Sequence, residues 1–209
     1  MPFAYYQRLS RREQATYRRS DVVTSLRVPG VSALHPSVEA LRTALDASDG
    51  EAVARAAFAI CAGVSRALGA APPRLEIHAV RPRGETHELH GLYVPEGEAP
   101  PVIRVWMRTA RHGRVVAFRT FLRTLLHEIV HHLDLEVLGL DWSFHTEGFF
   151  KRESSLFHQL VPDAARKRAE GAPPGTSRAP ANAGAPVTVR AAPPAEPGSR
   201  GGGAGPRRS

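Results

Sequence analysis

The spacing of apolar residues divides the first 160 residues of the chain into helix-like and strand-like stretches. Apolar side chains recur every three or four positions over 36–45 and again from about Ser48 to Leu68, and each stretch predicts an amphipathic helix. The tetrapeptide at 48–51 fits a capping box that opens the second helix, and Gly69 ends it. Three runs rich in strand-forming residues follow, at 75–80, 88–94 and 102–108.

Helical periodicity returns after these runs. It predicts one long helix from about Val115 to Leu138 and a final helix from about Phe144 to Leu160. Because the strand-like runs are grouped between helices rather than alternating with them, we expect an α+β domain with a small, mainly antiparallel sheet.

The residues beyond this region differ in composition. From about Gly171 the chain consists of Ala, Pro, Gly, Ser and Arg, with almost no large apolar side chains. Such a segment buries too little apolar surface to offset the entropy that it loses on ordering. We therefore divide the chain into a basic N-terminal segment (1–34), one globular domain (35–168) and a disordered tail (169–209).

Positive charge is concentrated at the two ends of the chain, whose formal net charge is +8. Five arginines against one glutamate give residues 1–20 a net charge of +4, the same balance holds for 171–209, and residues 21–170 are neutral overall. A neutral body is not the pattern of a protein whose main surface follows a phosphate backbone. We expect the basic ends to add only weak, salt-sensitive attraction to nucleic acid.

Composition also bears on the compartment. Cys61 is the single cysteine, which excludes an intramolecular disulfide and a thiolate metal cluster. No apolar run approaches the ~18–20 residues that a membrane-spanning helix needs, and the first residues lack the apolar core of a secretory signal. The sequence therefore predicts a cytoplasmic protein with no membrane span.

The predicted long helix carries a histidine pair suited to metal binding. The sequence His-Glu-Ile-Val-His occupies positions 127–131. Histidines four residues apart project from one face of a helix, so His127 and His131 can bind the same zinc ion at ~2.0–2.1 Å. Glu128 is offset from His127 by about 100° around the helix, which places its carboxylate beside the metal as a general base for an activated water.

Helical angles separate this trio from the core. With Phe118 at zero and about 100° per residue, three of the following leucine and isoleucine residues form an apolar stripe near Phe118. His127 and His131 fall near the opposite side of the helix, as an active-site helix that packs on a core requires. His132 falls on the apolar side, and we interpret it as a core histidine hydrogen-bonded to backbone.

A catalytic zinc site needs a third protein ligand and an open position. The metzincin form of the motif would place glycine at 134 and histidine at 137, and the Asp134 and Val137 of this chain exclude that class. The best candidate is His145, fourteen residues beyond the second histidine of the motif and within reach of a returning connector. Glu147 together with Glu153 stays open as the alternative.

The segment at 127–131, together with the sequence His-Thr-Glu-Gly-Phe at 145–149, resembles the SprT-like zincins. In that family a His-Glu-x-x-His helix is followed by a short connector and a His-x-x-x-Phe motif that opens the next helix. The resemblance covers roughly residues 88–160, and it implies His145 as the third zinc ligand and Phe149 as a packing residue behind it. It also implies a zincin-like fold.

The resemblance has a consequence for the sheet and two departures from the family pattern. In a zincin the strand before the active-site helix forms the sheet edge with which an extended substrate pairs, and 102–108 is our candidate for that edge. Thr146 stands where the family usually has glycine, and a single cysteine leaves no zinc ribbon. With the neutral body, the missing ribbon argues against the DNA-linked substrates of known relatives.

The sequence therefore predicts a zinc-dependent metallopeptidase that acts on a protein or peptide substrate. Zn²⁺ would be bound by His127, His131 and His145, and Glu128 would be the catalytic base. The alternative is a non-catalytic zincin-like module that binds nucleic acid or a protein partner through its basic ends. A third possibility is another zinc hydrolase reaction, on a modified peptide or a cell-wall amide. Glu128 favours an enzyme, because a purely structural zinc site does not need that carboxylate.

Overall fold

A computed structural model describes residues 2–82, 90–95, 97, 99–162 and the backbone of 189–190. These residues form an α+β architecture, which confirms the predicted class. The α-helices are α1 (Arg11–Val22), α2 (His35–Asp46), α3 (Gly50–Ala67), α4 (Phe118–Glu136) and α5 (Glu147–Leu160). The strands are β1 (Arg74–Val80), β2 (Gly91–Val94), β3 (Val102–Arg108), β4 (Trp142–Ser143) and β5 (Val189–Arg190). Short 3-10 helices lie at Ala4–Arg8 and Val31–Leu34.

The two early helices predicted from periodicity are α2 and α3, with one correction at the cap between them. The residue that caps α3 is Asp49, whose side chain accepts a hydrogen bond from the backbone nitrogen of Ala52 at 3.0 Å. Ser48 has a φ of 57° and belongs to the turn that ends α2. The predicted capping box at 48–51 is therefore wrong, because a residue in this left-handed turn is not placed to cap the next helix.

The three-stranded sheet is mixed rather than mainly antiparallel. β3 lies in its centre, β1 pairs with one side of β3 in parallel, and β2 pairs with the other side antiparallel. The apolar composition of β3 explains its position, because most of its side chains are buried on both faces, which is typical of a central strand. The expectation that 102–108 forms a sheet edge is therefore wrong, and β2 is the edge strand that contacts α4.

The core lies between the sheet and the helices α3 and α4. α3 packs on β1, and α4 packs on β2 and β3. The apolar stripe predicted for the long helix is buried here, since Leu122, Leu125 and Ile129 have no exposed surface. α5 lies against α4 and brings its own beginning to the face of α4 that carries the histidine pair. The histidine pair thus lies on α4, which packs against the sheet and against α5.

The N-terminal residues form a helix that periodicity did not predict. α1 begins at a capping box in which Ser10 and Glu13 hydrogen-bond to each other's backbone nitrogens. Its buried face includes Tyr17 and Ser20, and it packs against α5 and β4. The division of the chain at 34/35 stays a prediction, although this part of the N-terminal segment contacts the domain beyond it.

Of the predicted tail, the structure describes only β5. This strand pairs antiparallel with β4, with Trp142 opposite Arg190 and Ser143 opposite Val189. The remaining tail residues, 169–188 and 191–209, lie outside the described residues, so their disorder stays a prediction. Within the described part of the chain, no helix combines the length and the apolar composition needed to cross a membrane.

Candidate metal centre

Two elements bring three histidines together. His127 and His131 lie one turn apart on α4, and His145 lies in the connector directly before α5. α5 starts at this point because Thr146 is its N-cap, with a side chain that accepts a hydrogen bond from the backbone nitrogen of Phe149 at 3.0 Å. The helix begins at Glu147 rather than at the predicted Phe144, so His145 lies outside it and its ring reaches the histidines of α4.

The ring nitrogens of these histidines converge. The Nε2 atom of His145 lies 2.9 Å from Nε2 of His127 and 3.1 Å from Nε2 of His131. Two nitrogens that bind one tetrahedral ion at ~2.0–2.1 Å are separated by about 3.3 Å, which is close to this spacing. Across the described residues, these three form the group of metal-ligating side chains whose ligand atoms all lie within 4.8 Å of one another. They are close enough to hold a metal ion.

The outer ring nitrogens determine where the protons lie. Ser143 donates its hydroxyl proton to Oδ2 of Asp134 at 2.8 Å. The Ser143 oxygen also lies 2.8 Å from Nδ1 of His131. Because the hydroxyl proton is already used, Nδ1 of His131 must be the donor in this second hydrogen bond. Nδ1 of His127 faces the carboxylate of Glu153 at 3.3 Å and donates in the same way. When these two rings are neutral, the Nε2 atoms of His127 and His131 carry lone pairs, and both lone pairs point toward the space that His145 also faces. This arrangement is suited to binding a cation.

Burial keeps two of the rings in the form that binds metals. Burial lowers the pKa of His145 to about 3, and the charge of His127 acts in the same direction. The pKa of His131 lies well below its usual range because of burial and the positive charges of His127, His145 and Arg152. Burial also opposes protonation of His127, but its hydrogen bond to Glu153 and the nearby Glu128 carboxylate raise its pKa overall.

Phe149 forms the wall behind the three rings. Its ring centroid lies 4.8 Å from that of His127, 4.7 Å from that of His131 and 5.0 Å from that of His145, and its side chain has no exposed surface. The expectation that Phe149 packs behind His145 is confirmed, and its ring also contacts the other two histidines.

A buried ion pair supports His131 through Ser143. Arg152 donates from Nη2 to both carboxylate oxygens of Asp134, at 2.8 and 2.9 Å, and neither side chain has exposed surface. Asp134 accepts the Ser143 proton, and Ser143 accepts from His131. Removing one partner of such a pair leaves an uncompensated buried charge, which typically costs about 3–5 kcal/mol of stability. Asp134 is thus a group that supports His131 through Ser143.

Glu128 is buried against the edge strand. The backbone N–H of Tyr93 donates to its carboxylate, and burial raises its pKa to about 7, with the charge of His127 acting in the opposite direction. A Cβ atom on Gly91 would lie 2.4 Å from Oε1 of Glu128, so only glycine leaves room for the carboxylate at this point of β2. A carboxylate with a pKa near neutrality is suited to accept and return a proton.

The alternative third ligands lie elsewhere. Glu153 contacts the outer nitrogen of His127, and its other oxygen pairs with Arg123 at 3.0 Å. Glu147 is half-exposed and pairs with Lys151 at 2.7 Å. Neither belongs to the convergent cluster. His132 is a core residue, as expected, with Nε2 2.8 Å from the backbone oxygen of Ala71.

Sequence reasoning missed several residues around the site. Gly91 carried a usable signal, because glycine inside a strand-like run often marks a close approach by another group. Ser143 carried none, since a single serine in a connector has no distinguishing pattern. The contact of Tyr5 with His145, which joins residues 140 positions apart, also had no signal in the sequence.

Comparisons with known proteins return no match, whether against family models, curated proteins or solved structures. The resemblance to the SprT-like zincins, and a zincin-like fold, therefore stay predictions that rest on residues 127–131 and 145–149.

Proposed function

We propose that this protein is a zinc-dependent metallopeptidase. One observation carries the proposal: the Nε2 atoms of His127, His131 and His145 converge, and the buried carboxylate of Glu128 lies close enough to His127 to interact with it electrostatically. Three protein ligands with an adjacent general base are what a catalytic zinc site requires, whereas structural zinc sites are closed by four protein ligands. Imidazole ligands suit zinc, although they also suit copper, iron and nickel.

The residues of this chain divide the chemistry among them. A zinc ion held by the three histidines would polarise a peptide carbonyl and lower the pKa of water in the site. The Glu128 carboxylate takes a proton from the attacking water and delivers it to the leaving amine. The hydrogen bond from the Tyr93 backbone orients the Glu128 carboxylate before the proton transfer.

The edge strand β2 is the candidate surface for an extended substrate. It pairs with β3 along one side, and no other described strand pairs with its second side. Gly91 on this strand touches Glu128, so a peptide added along β2 would run past the proposed base. Backbone pairing with a free sheet edge is a common way to bind peptides in extended form.

The test compares Glu128→Gln with wild type and with a matched control. Glu136→Gln makes the same change on the exposed end of α4, outside the cluster. We expect wild type and both variants to bind one equivalent of zinc, measured by elemental analysis. Cleavage of casein or of a peptide library should fall by about 10²- to 10⁴-fold in Glu128→Gln, because a general base contributes that much to the rate, and stay unchanged in the control.

Other outcomes would point elsewhere. Zinc bound by wild type without Glu128-dependent cleavage of any amide substrate would favour the non-catalytic module. Purified protein that contains no zinc and does not take it up would contradict both the enzyme and the zinc module.

A further inference from the structure

The N-terminal residues contact the connector that carries His145. The hydroxyl of Tyr5 donates to the backbone oxygen of His145 at 3.0 Å. Phe3 packs edge-on against Phe150 with centroids 6.2 Å apart, and Phe150 stacks on the His145 ring at 5.7 Å. The third histidine of the cluster is thus held on its backbone and on its ring by contacts that lead back to the start of the chain.

The end of α1 is fitted to the beginning of α5. Oδ1 of Asp21 accepts a hydrogen bond from the backbone nitrogen of Gly148 at 3.0 Å, and the hydroxyls of Ser20 and Thr146 lie 3.4 Å apart. A Cβ atom on Gly148 would lie 2.4 Å from the backbone oxygen of Asp21 and 2.6 Å from that of Ser20. Because those atoms belong to the backbone, they have little freedom to move aside, and α1 sits this close only against glycine.

A third link runs through the buried Arg152. Its Nη1 donates to the backbone oxygens of Ser20, at 2.7 Å, and of Val23, while its Nη2 holds Asp134. Through Asp134 and Ser143 this network continues to His131. The same guanidinium therefore joins the end of α1 to a second histidine of the cluster.

We propose that Tyr5 and the end of α1 support the metal centre and that Tyr5 is a positioning residue for His145. The contact is specific in a way that general packing is not, since the Tyr5 hydroxyl bonds to the backbone of the ligand itself. This inference rests on the proposed function only in requiring a bound metal, and it is independent of which substrate is cleaved or whether any is.

Tyr5→Phe tests the inference, with Tyr6→Phe as its control. Both residues lie in the same 3-10 helix and both pack edge-on against Tyr17, but the Tyr6 hydroxyl bonds to Arg18 instead of the cluster. Zinc affinity of the full chain is measured by competition with a chromogenic chelator. Loss of one hydrogen bond to the ligand backbone should weaken zinc binding about threefold to tenfold in Tyr5→Phe, and Tyr6→Phe should match wild type.

Two further measurements separate positioning from a general loss of stability. The visible absorption spectrum of the Co²⁺-substituted protein reports the ligand arrangement without any catalysis, and it should change in Tyr5→Phe but not in Tyr6→Phe. Gly148→Ala, which forces α1 away from α5, should weaken zinc binding more than Gly63→Ala, where the three atoms nearest to the new Cβ all belong to the flexible Leu34 side chain.

The outcomes distinguish this inference from the proposed function. Tyr5→Phe with wild-type zinc affinity and an unchanged cobalt spectrum would overturn the positioning role, even if the protein proves to be a peptidase. Equal losses in Tyr5→Phe and Tyr6→Phe would also overturn it, because they would reflect stability alone. Weaker zinc binding confined to Tyr5→Phe supports it, even if no peptide is cleaved.

Discussion

At the scale of single residues, the proposed metal site depends on groups that lie outside the three converging histidines. His131 keeps its Nε2 atom aimed at the cluster because Nδ1 donates to Ser143, and Ser143 keeps its orientation because Asp134 takes its proton. Hydrogen bonds to the outer nitrogen of a ligating histidine fix its tautomer and its ring orientation. We therefore expect the hydroxyl of Ser143 to contribute strongly to zinc affinity, although it is not itself a ligand.

Ser143→Ala should weaken zinc binding about 10- to 100-fold, the usual effect of removing such a partner. The reason is that the His131 ring loses the acceptor that holds its tautomer. Isothermal titration or chelator competition measures the effect. Ser65→Ala removes an equally buried hydroxyl in α3, away from the cluster, and should leave the affinity unchanged.

An unaltered zinc affinity in a folded Ser143→Ala protein would show that the His131 ring is held by packing against Phe149 alone. Thermal unfolding of both metal-free serine variants shows whether a difference in affinity merely follows a difference in stability.

Helical geometry was enough to predict one group of these residues. The four-residue spacing placed His127 and His131 on one face, and the angles assigned His132 to the core. The supporting groups could not be predicted, because their roles arise from contacts across connectors whose course the sequence does not specify. Ser143 meets His131 only because β4 folds back along α4.

At the scale of elements, the position of one short strand decides how Glu128 is presented. The resemblance to zincins suggested β3 as the edge, but its apolar composition on both faces places it in the centre. Because β3 is central, β1 and β2 lie at its two sides, β1 with many exposed side chains and β2 beside α4. The strands themselves could be predicted from local pattern, while their order depends on which strand gains most from burial on two sides.

Gly91→Ala tests this arrangement. The new methyl group would occupy the space of the Glu128 carboxylate, and displacement of a catalytic group by ~1 Å can cost about 100-fold in rate. We therefore expect a loss of kcat for peptide cleavage of at least about tenfold, with zinc content unchanged. Gly50→Ala is a suitable control, because its Cβ would make only an ordinary contact of 3.6 Å with Met107.

Loss of zinc together with activity in Gly91→Ala would indicate that β2 supports the ligands themselves. Full activity would mean that Glu128 acts from another position than the one against β2.

At the scale of the whole molecule, the centre joins parts of the chain that are far apart in sequence. Tyr5 and His145 are separated by 140 positions, and Ser20 and Arg152 by 132. Local patterns could predict the α+β class and most helix and strand positions. They could not predict that α1 docks on α5, because the docking surface is formed by Gly148 and a buried arginine rather than by a periodic apolar stripe.

This long-range closure has a kinetic consequence. Contacts between distant segments form late in folding, because the entropy of closing a long loop must be offset before they contribute. Interactions that are absent from the folding transition state change the rate of unfolding and leave the rate of folding nearly unaltered. In stopped-flow experiments zinc should therefore slow unfolding with little effect on refolding, whereas faster refolding with zinc would mean that the three histidines meet early. If the centre forms last in folding, it must also open before the rest of the fold unfolds, and bound metal would lengthen the lifetime of the native state.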